Sequence, residues 1–273
     1  MDSTAVCGQS VGKRNRWSRF VDRPSGRSLL LAVDHGLTRG PLAGLESIHG
    51  MGAWIDHPSI NGIIAHKGTM ARLADARALG AAGLMLHVNG MPSFAEQSDT
   101  KETLTTIETA LRLGCDAVSL QLNFRRDNAA HNLKMLGRVI DETAAWGLPV
   151  LGMIYDNDQT APDQRLARMR HLVRIACELG LDAIKIEAPP SAEDMQPLLD
   201  GLVDDISIFF SGGPSGNLDQ LLTVASRAVA LGAAGMCVGR NVFQHPDKNN
   251  ALRLLHNAVC GAGVTDFQQT RQA

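Results

Sequence analysis

Lys185 interrupts an apolar run, Asp182-Ala183-Ile184-Lys185-Ile186-Glu187. Alternation along a strand sends Ala183, Lys185 and Glu187 to one face and the two isoleucines to the other. The isoleucines suit a helix layer, so the lysine faces inward, where a lysine is seldom found without a partner or a purpose. Desolvation and cationic neighbours would lower its pKa and give a neutral amine, able to attack a carbonyl and form a Schiff base. The plainer alternative is a structural ion pair, with Glu187 as the nearest candidate. Asp34 closes another run, Leu31-Ala32-Val33-Asp34-His35-Gly36. A carboxylate there can exchange a proton with a substrate hydroxyl, or it can serve as an Asx turn or N-cap. Tyr155, the single tyrosine of the chain, shares an alternation face with Met153 and Leu151. A phenol at such a place can pass protons to a carbinolamine, or simply sit as an amphipathic rim residue.

Two glycine features accompany these residues: Ser211-Gly212-Gly213 and Val238-Gly239-Arg240-Asn241. Bare backbone N–H groups and a nearby guanidinium are suited to phosphate. His35, His66 and His87 each end a strand-like run, which makes a zinc-dependent lyase or hydrolase conceivable. No H-x-H or H-x-x-x-H pair occurs among them, and the reading without a metal is preferred.

The elements that must position these groups are legible as eight short apolar runs: 28–33, 62–66, 84–88, 117–122, 150–155, 183–186, 206–210 and 236–238. Each is nearly continuous in Leu, Ile, Val and Ala, as parallel strands covered on both sides are. Helical spacings lie between them, for instance Leu166, Met169, Leu172, Val173, Ala176, and also Thr103, Ile107, Ala110, Leu111. Leu113-Gly114-Cys115-Asp116-Ala117, Leu179-Gly180-Leu181-Asp182-Ala183 and Leu231-Gly232-Ala233-Ala234-Gly235 echo one another, each closing a helix on glycine and opening a strand. Eight βα units without a linker predict a single-domain (β/α)8 TIM barrel over 27–262. A lead-in and barrel-bottom helix would occupy 1–26, and a tail 263–273. No G-x-G-x-x-G follows the first run, which disfavours an open dinucleotide-binding sheet. In such a barrel, reacting groups sit at the C-terminal ends of the strands, and phosphate frequently binds the loops after strands seven and eight. Lys185, Asp34, Tyr155 and both glycine features have that address.

Composition narrows the partners. The 273 residues hold 26 Lys and Arg against 28 Asp and Glu, and aromatics are 4%. Neither a phosphate-collecting field nor a stacking platform for single-stranded nucleic acid is present. The basic lead-in (Lys13, Arg14, Arg16, Arg19, Arg23, Arg27) reads as a solvated helix beneath the barrel. Five scattered cysteines without a C-x-x-C pair argue for isolated thiols in a reducing cytoplasm. No run approaches the length of a membrane span, and the first twenty residues lack the apolar core of a signal peptide.

The motifs together resemble the archaeal-type class I aldolases, a family that includes fructose-bisphosphate aldolases and aminodideoxyheptulosonate synthases. The resemblance extends from about residue 16 to 259 and rests on Asp34-His35-Gly36 with Gly40-Pro41, His66-Lys67-Gly68, Asp116-Ala117-Val118-Ser119 with Asn123, Trp146-Gly147-Leu148-Pro149, Tyr155, the Lys185 strand, Gly212-Gly213-Pro214, and Gly239-Arg240-Asn241-Val242-Phe243-Gln244-His245. Leu86-His87 and His66-Lys67-Gly68 are nearer the heptulosonate synthase branch. The resemblance implies Lys185 as the Schiff-base lysine, Tyr155 as proton donor and Asp34 as proton acceptor. It also implies a substrate lining from His35, Gly36, Leu37, Thr38, His66, Lys67, His87 and Asn157, with phosphate held by Gly212, Gly213, Gly239 and Arg240. No cofactor is implied; the substrates would be a small phosphorylated ketose or diulose and an aldehyde, handled by a homo-oligomer. Two departures stand out. Asp156-Asn157-Asp158 replaces the usual Pro-Arg-Gly, and Ser215 replaces a lysine or arginine, which would make the far end of the site more acidic than usual. A glycolytic fructose-bisphosphate aldolase, a metal-dependent barrel lyase and a catalytically silent sugar-phosphate sensor are the other readings.

Overall fold

Among the described residues ten strands are formed: β1 Ser28–Ala32, β2 Gly62–Ala65, β3 Gly83–His87, β4 Asn89–Gly90, β5 Glu102–Thr103, β6 Ala117–Phe124, β7 Val150–Asp156, β8 Ala183–Ile186, β9 Ser207–Ser211 and β10 Gly235–Val238. Eight of them close a barrel in the order β1-β10-β9-β8-β7-β6-β3-β2, every neighbouring pair parallel. Helices connect the strands, so this is the (β/α)8 barrel that the alternation of runs predicts. The computed structural model describes residues 10–158, 160–213 and 216–261. Cys7, Pro214, Ser215 and the 263–273 tail lie outside the described residues.

Alternation along the strands separates two apolar layers. Leu29, Leu31, Ile63, Leu86, Val118, Ile154, Ile184, Ile186 and Phe210 pack outward against the helices. Leu30, Ile64, Met85, Ala117, Leu151, Ala183 and Phe209 fill the interior. The helices supply the matching stripe: Asn132, Met135, Leu136, Val139 and Thr143 are the buried positions of the Ala129–Ala144 helix, at three- and four-residue steps. The helix Arg165–Leu179 buries Leu172, Val173 and Ala176 and stops where Gly180 turns left-handed at φ 86°.

The internal echo has a structural counterpart. Asn61 accepts from the Leu29 N–H (2.8 Å), Asp116 from Leu84 (3.0 Å) and Asp182 from Val150 (2.8 Å), each pair 32 residues apart. A polar side chain just before one strand thus latches the start of its neighbour, which fixes the register between successive units.

The lead-in closes the floor, but it is stitched to the barrel rather than solvated. Trp17 and Phe20 are buried, and Phe20 fills the space left by Gly62 and Gly83, where a Cβ would lie 2.5 and 2.7 Å from its ring. Lys13 pairs with Asp182 and Arg19 with Asp116, both at 2.7 Å. Arg16 donates to the Gly147 carbonyl and Arg27 to that of Ala233. Four of the six basic residues therefore bind carboxylates or carbonyls on the barrel's underside.

One region departs from the expected pattern. Thr103 does not open a helix; it pairs with Asn89 in the antiparallel ribbon β4–β5, and the helix begins at Ile107. A four-residue coincidence of spacing was overridden by backbone pairing. The ribbon belongs to the β3-to-β6 connection and crosses the mouth of the barrel.

Candidate active site

Lys185 is 5% exposed, inside the barrel on β8, with its Nζ 3.9 Å from Met153 Sδ on β7. Tyr155 stands two residues beyond Met153 on the same face of β7. Cys237 of β10 lies close enough to the amine to act on its charge. Glu187 is exposed, and no ion pair of Lys185 occurs among the described residues, so the structural-pair alternative falls. Asp34 occupies the N-cap position of the helix His35–Arg39 without making a side-chain cap bond. Its Oδ2 lies 3.6 Å from His87 Nε2 and its Oδ1 3.5 Å from His35 Nδ1, and that Oδ1 is buried without a hydrogen bond. An unbonded carboxylate oxygen in that position is available to a substrate hydroxyl.

The electrostatics correct one expectation. The neighbours of Lys185 are not cations. Burial works to lower its ammonium, but Cys237, Tyr155 and Asp34 outweigh burial and hold it above the usual lysine range. Burial pushes the Cys237 thiol and the Tyr155 phenol up. At neutral pH the ionised neighbour is therefore Asp34, and the phenol keeps its proton and can give it. For Asp34, burial acts to raise the carboxyl, yet His87, His35, Lys185 and His66 hold it well below the carboxylate range. Burial brings His87 down to about 3, against the pull of Asp34, and lowers His35 and His66 as well.

The three histidines do converge around Asp34, and two of them are hydrogen-bonded in place. His87 Nδ1 bonds Ser119 Oγ at 2.8 Å, and His66 Nδ1 donates to the His87 carbonyl at 3.2 Å. Among the described residues no group of three His, Cys, Asp or Glu side chains is placed to hold a metal ion. Asp34, Gly36, Leu37 and His66 share a cavity of about 340 Å³ with Val33 and Arg72. Thr38, one residue on, accepts from the Ser93 N–H and ties this turn to the ribbon loop.

The phosphate-type loops meet next to this cavity. A Cβ at Gly239 would lie 2.7 Å from His35 Cε1 and 3.0 Å from the Ala32 carbonyl, and one at Gly212 would lie 2.0 Å from Asn241 Oδ1. Gly213 follows at φ +68°. Close approach requires glycine at 212 and 239, the positive φ favours it at 213, and the half-buried Arg240 follows Gly239.

Three expected site features sit differently. Lys67 is exposed and donates to the Leu104 carbonyl (2.9 Å), clamping the ribbon rather than lining the cavity. Asn157 is exposed at the rim and donates to Asp99 (2.8 Å). Asp156 and Asp158 do not acidify the site, because both face Arg168 on the next helix, at 3.4 and 3.5 Å. Ser119 and Cys237 were passed over in the sequence, although their inward alternation on β6 and β10 was a usable signal. Buried Lys101, between the ribbon and the mouth, had none.

A family model described as DeoC/LacD family aldolase matches residues 28–245, from the start of β1 to just past the Arg240–Phe243 helix. The chain belongs to the DeoC/LacD aldolase family. As a member it is an aldolase, a carbon–carbon lyase. It is 32% identical over 251 residues, 92% of each chain, to 2-amino-3,7-dideoxy-D-threo-hept-6-ulosonate synthase 1 of Archaeoglobus fulgidus. With 2-amino-4,5-dihydroxy-6-oxo-7-(phosphonooxy)heptanoate synthase of Streptomyces griseus it shares 27% identity, over 91% of this chain and 90% of that one. An archaeal fructose 1,6-bisphosphate aldolase superposes with a TM-score of 0.80 at 22% identity, covering 92% of this chain and 100% of the other. That likeness shows the barrel fold. No helix among the described residues is long and apolar enough to cross a membrane.

Proposed function

We propose that this family member is a lysine Schiff-base aldolase or transaldolase of the heptulosonate synthase type, acting without a cofactor on a small monophosphorylated ketose or diulose and an aldehyde. The observation that carries this reading is an amine buried inside the barrel, Lys185, facing a neutral phenol, Tyr155, and an ionised carboxylate, Asp34, at the barrel mouth. Lys185 loses its proton and attacks the donor carbonyl. Tyr155 protonates the carbinolamine oxygen, water leaves, and the iminium draws electrons from the adjacent C–C bond as Asp34 takes the proton of the hydroxyl beyond it. The enamine that remains adds to the aldehyde, and hydrolysis frees the product and the amine.

Gly212, Gly213, Gly239 and Arg240 hold the donor phosphate in this reading, with His35 to Thr38, His66 and His87 around its carbon chain. The relatives' names, a heptulosonate synthase and a phosphonooxy-heptanoate synthase, support a biosynthetic role over glycolytic cleavage. Further parts of the reading are a cytoplasmic enzyme, which suits the free Cys115, Cys177, Cys237 and Cys260, and a homo-oligomer, which suits the exposed Trp146, Leu133 and Leu179. Light scattering tests the oligomer, and a monomer overturns it.

Borohydride reduction in the presence of fructose 1-phosphate, dihydroxyacetone phosphate and fructose 1,6-bisphosphate tests the chemistry. A covalent adduct on the Lys185 peptide is expected with at least one monophosphorylated donor. No adduct with any of them counts against the reading.

A further inference from the structure

Ser119 is wholly buried on β6, and the chemistry above makes no use of its hydroxyl. In the parallel pairing of β3 with β6 it stands opposite His87, and alternation turns both side chains into the barrel. That register is pinned three residues earlier on each strand, where Asp116 accepts from the Leu84 N–H at 3.0 Å. One residue beyond His87, the Val88 N–H donates to the Ser119 carbonyl at 2.9 Å. The two side chains therefore meet at a fixed place, Ser119 Oγ lying 2.8 Å from His87 Nδ1.

Either atom of this contact is able to supply the proton, and the surroundings decide which one does. A neutral imidazole has one N–H and one lone pair. Burial keeps the His87 ring neutral down to about 3. Its Nε2 faces Asp34 Oδ2 at 3.6 Å, and an ionised carboxylate can only accept. A lone pair on Nε2 would repel that anion, so the ring proton belongs on Nε2, and Nδ1 needs a donor. His66 cannot be that donor. Its ring lies edge-on to His87 at 5.1 Å, and its Nδ1–H is spent on the His87 carbonyl. The Ser119 hydroxyl remains, at hydrogen-bond distance.

The two oxygens of Asp34 become unequal as a result. Oδ2 faces the His87 N–H, and catalytic hydrogen bonds of this kind are often long before substrate binds and tighten afterwards. Oδ1 is buried and accepts no hydrogen bond, although His35 Nδ1 lies 3.5 Å away.

We propose that Ser119 is a positioning residue: its hydroxyl donates to His87 Nδ1, which commits the ring proton to Nε2 and aims that N–H at Asp34 Oδ2, leaving Oδ1 to take the proton of the substrate hydroxyl. The proposal rests on the Schiff-base reading above and adds a residue that acts on its proton transfer through His87 and Asp34.

Long-range 1H–15N correlation spectra of histidine-labelled protein near neutral pH read the tautomer directly. The His87 signals are identified by their loss in His87→Asn. Wild type is expected to show His87 protonated at Nε2 alone, with Nδ1 shifted as a hydrogen-bonded acceptor. In Ser119→Ala that shift should vanish. Its kcat, with the donor that gives the borohydride adduct, should fall about tenfold, the scale of one hydrogen bond, with KM changed less than about twofold. Ser119→Thr keeps the hydroxyl and should restore the shift and most of kcat; if it does not fold, wild type and Ser119→Ala still decide. A His87 proton on Nδ1 in wild type overturns the proposal, because Ser119 would then be the acceptor. So does Ser119→Ala with unchanged kcat, or with a loss confined to KM. The spectra need no turnover. If wild type forms no adduct, the Schiff-base reading fails, while an Nε2 proton and an Nδ1 shift that depends on Ser119 still support the positioning of His87.

Discussion

His87 Nε2 lies 3.6 Å from Asp34 Oδ2, while the other ring nitrogen of His87 is bonded to Ser119 Oγ at 2.8 Å. The pair looks like an ion pair but is not one at neutral pH. Burial keeps the ring neutral down to about 3, so the histidine shapes the pocket of the carboxylate without neutralising it. The charge that balances Asp34 is the ammonium of Lys185.

A pH profile follows from that arrangement. Lys185 is raised, so the free amine that attacks the carbonyl is the minor form below its pKa, and its share grows as pH rises. Single-turnover adduct formation should climb about tenfold per pH unit from about pH 6 to 8. No imidazole limb should appear near the usual histidine value of about 6.5. A limb there that disappears in His87→Asn would refute this assignment of charge.

Tyr155→Phe and Asp34→Asn remove proton transfer while keeping shape. Each should lower kcat by ~10²- to 10⁴-fold, the usual worth of a general acid or base. Donor affinity, measured by protection of Lys185 from borohydride trapping by a second ketose, should change little. A drop confined to KM in either variant would move that residue from chemistry to binding.

The floor of the barrel offers a stability test. Asp182 is almost wholly buried and holds both the Val150 N–H and Lys13, which is itself 14% exposed. Asp116 does the same for Leu84 and Arg19, but Arg19 is 65% exposed. Asp182→Ala leaves a buried cation and a buried donor unpaired and should cost about 3 kcal/mol or more. Asp116→Ala frees an arginine that water can solvate and should cost about 1 to 2 kcal/mol. Urea midpoints at constant slope give both values, and equal costs would show that exposure of the cation does not govern them.

The resemblance to class I aldolases implies an arginine where Asn157 stands, and the Asn157 amide is held by Asp99. Wild type is therefore expected to cleave fructose 1,6-bisphosphate poorly, and Asn157→Arg to improve kcat/KM about tenfold, the scale of one charge-assisted contact. Ser215→Lys is the companion substitution. Efficient cleavage by wild type, unimproved by either change, would show that the departures are neutral.

What was legible in the sequence follows its periodicity. All eight barrel strands were readable as apolar runs, and the inward aim of Lys185 followed from the two isoleucines beside it. Asp34 and Tyr155 were placed at strand ends by the same logic. The ribbon was not, because strands of two residues carry no period, and with it went Lys101, whose burial depends on a fold-over of the β3-to-β6 connection. The sign of the field around Lys185 was also misjudged. The strand-end address places Asp34 at the same mouth as Lys185, but sequence order gives no hint that β10 brings Cys237 to the same amine. Asp156 and Asp158 read as an acidic rim in the sequence, but Arg168, in the first turn of the next helix, faces both.

Trp17 and Phe20 make the barrel a blind well, and the well has one door. Whatever bonds to Lys185 must pass the mouth first, and whatever reacts with that adduct settles above it. Substrates should therefore add in fixed sequence, ketose before aldehyde. An unreactive analogue of the aldehyde should inhibit uncompetitively against the ketose, whereas a ketose analogue should compete only with the ketose. A sealed floor, far from any reacting atom, thereby dictates the order of the kinetics.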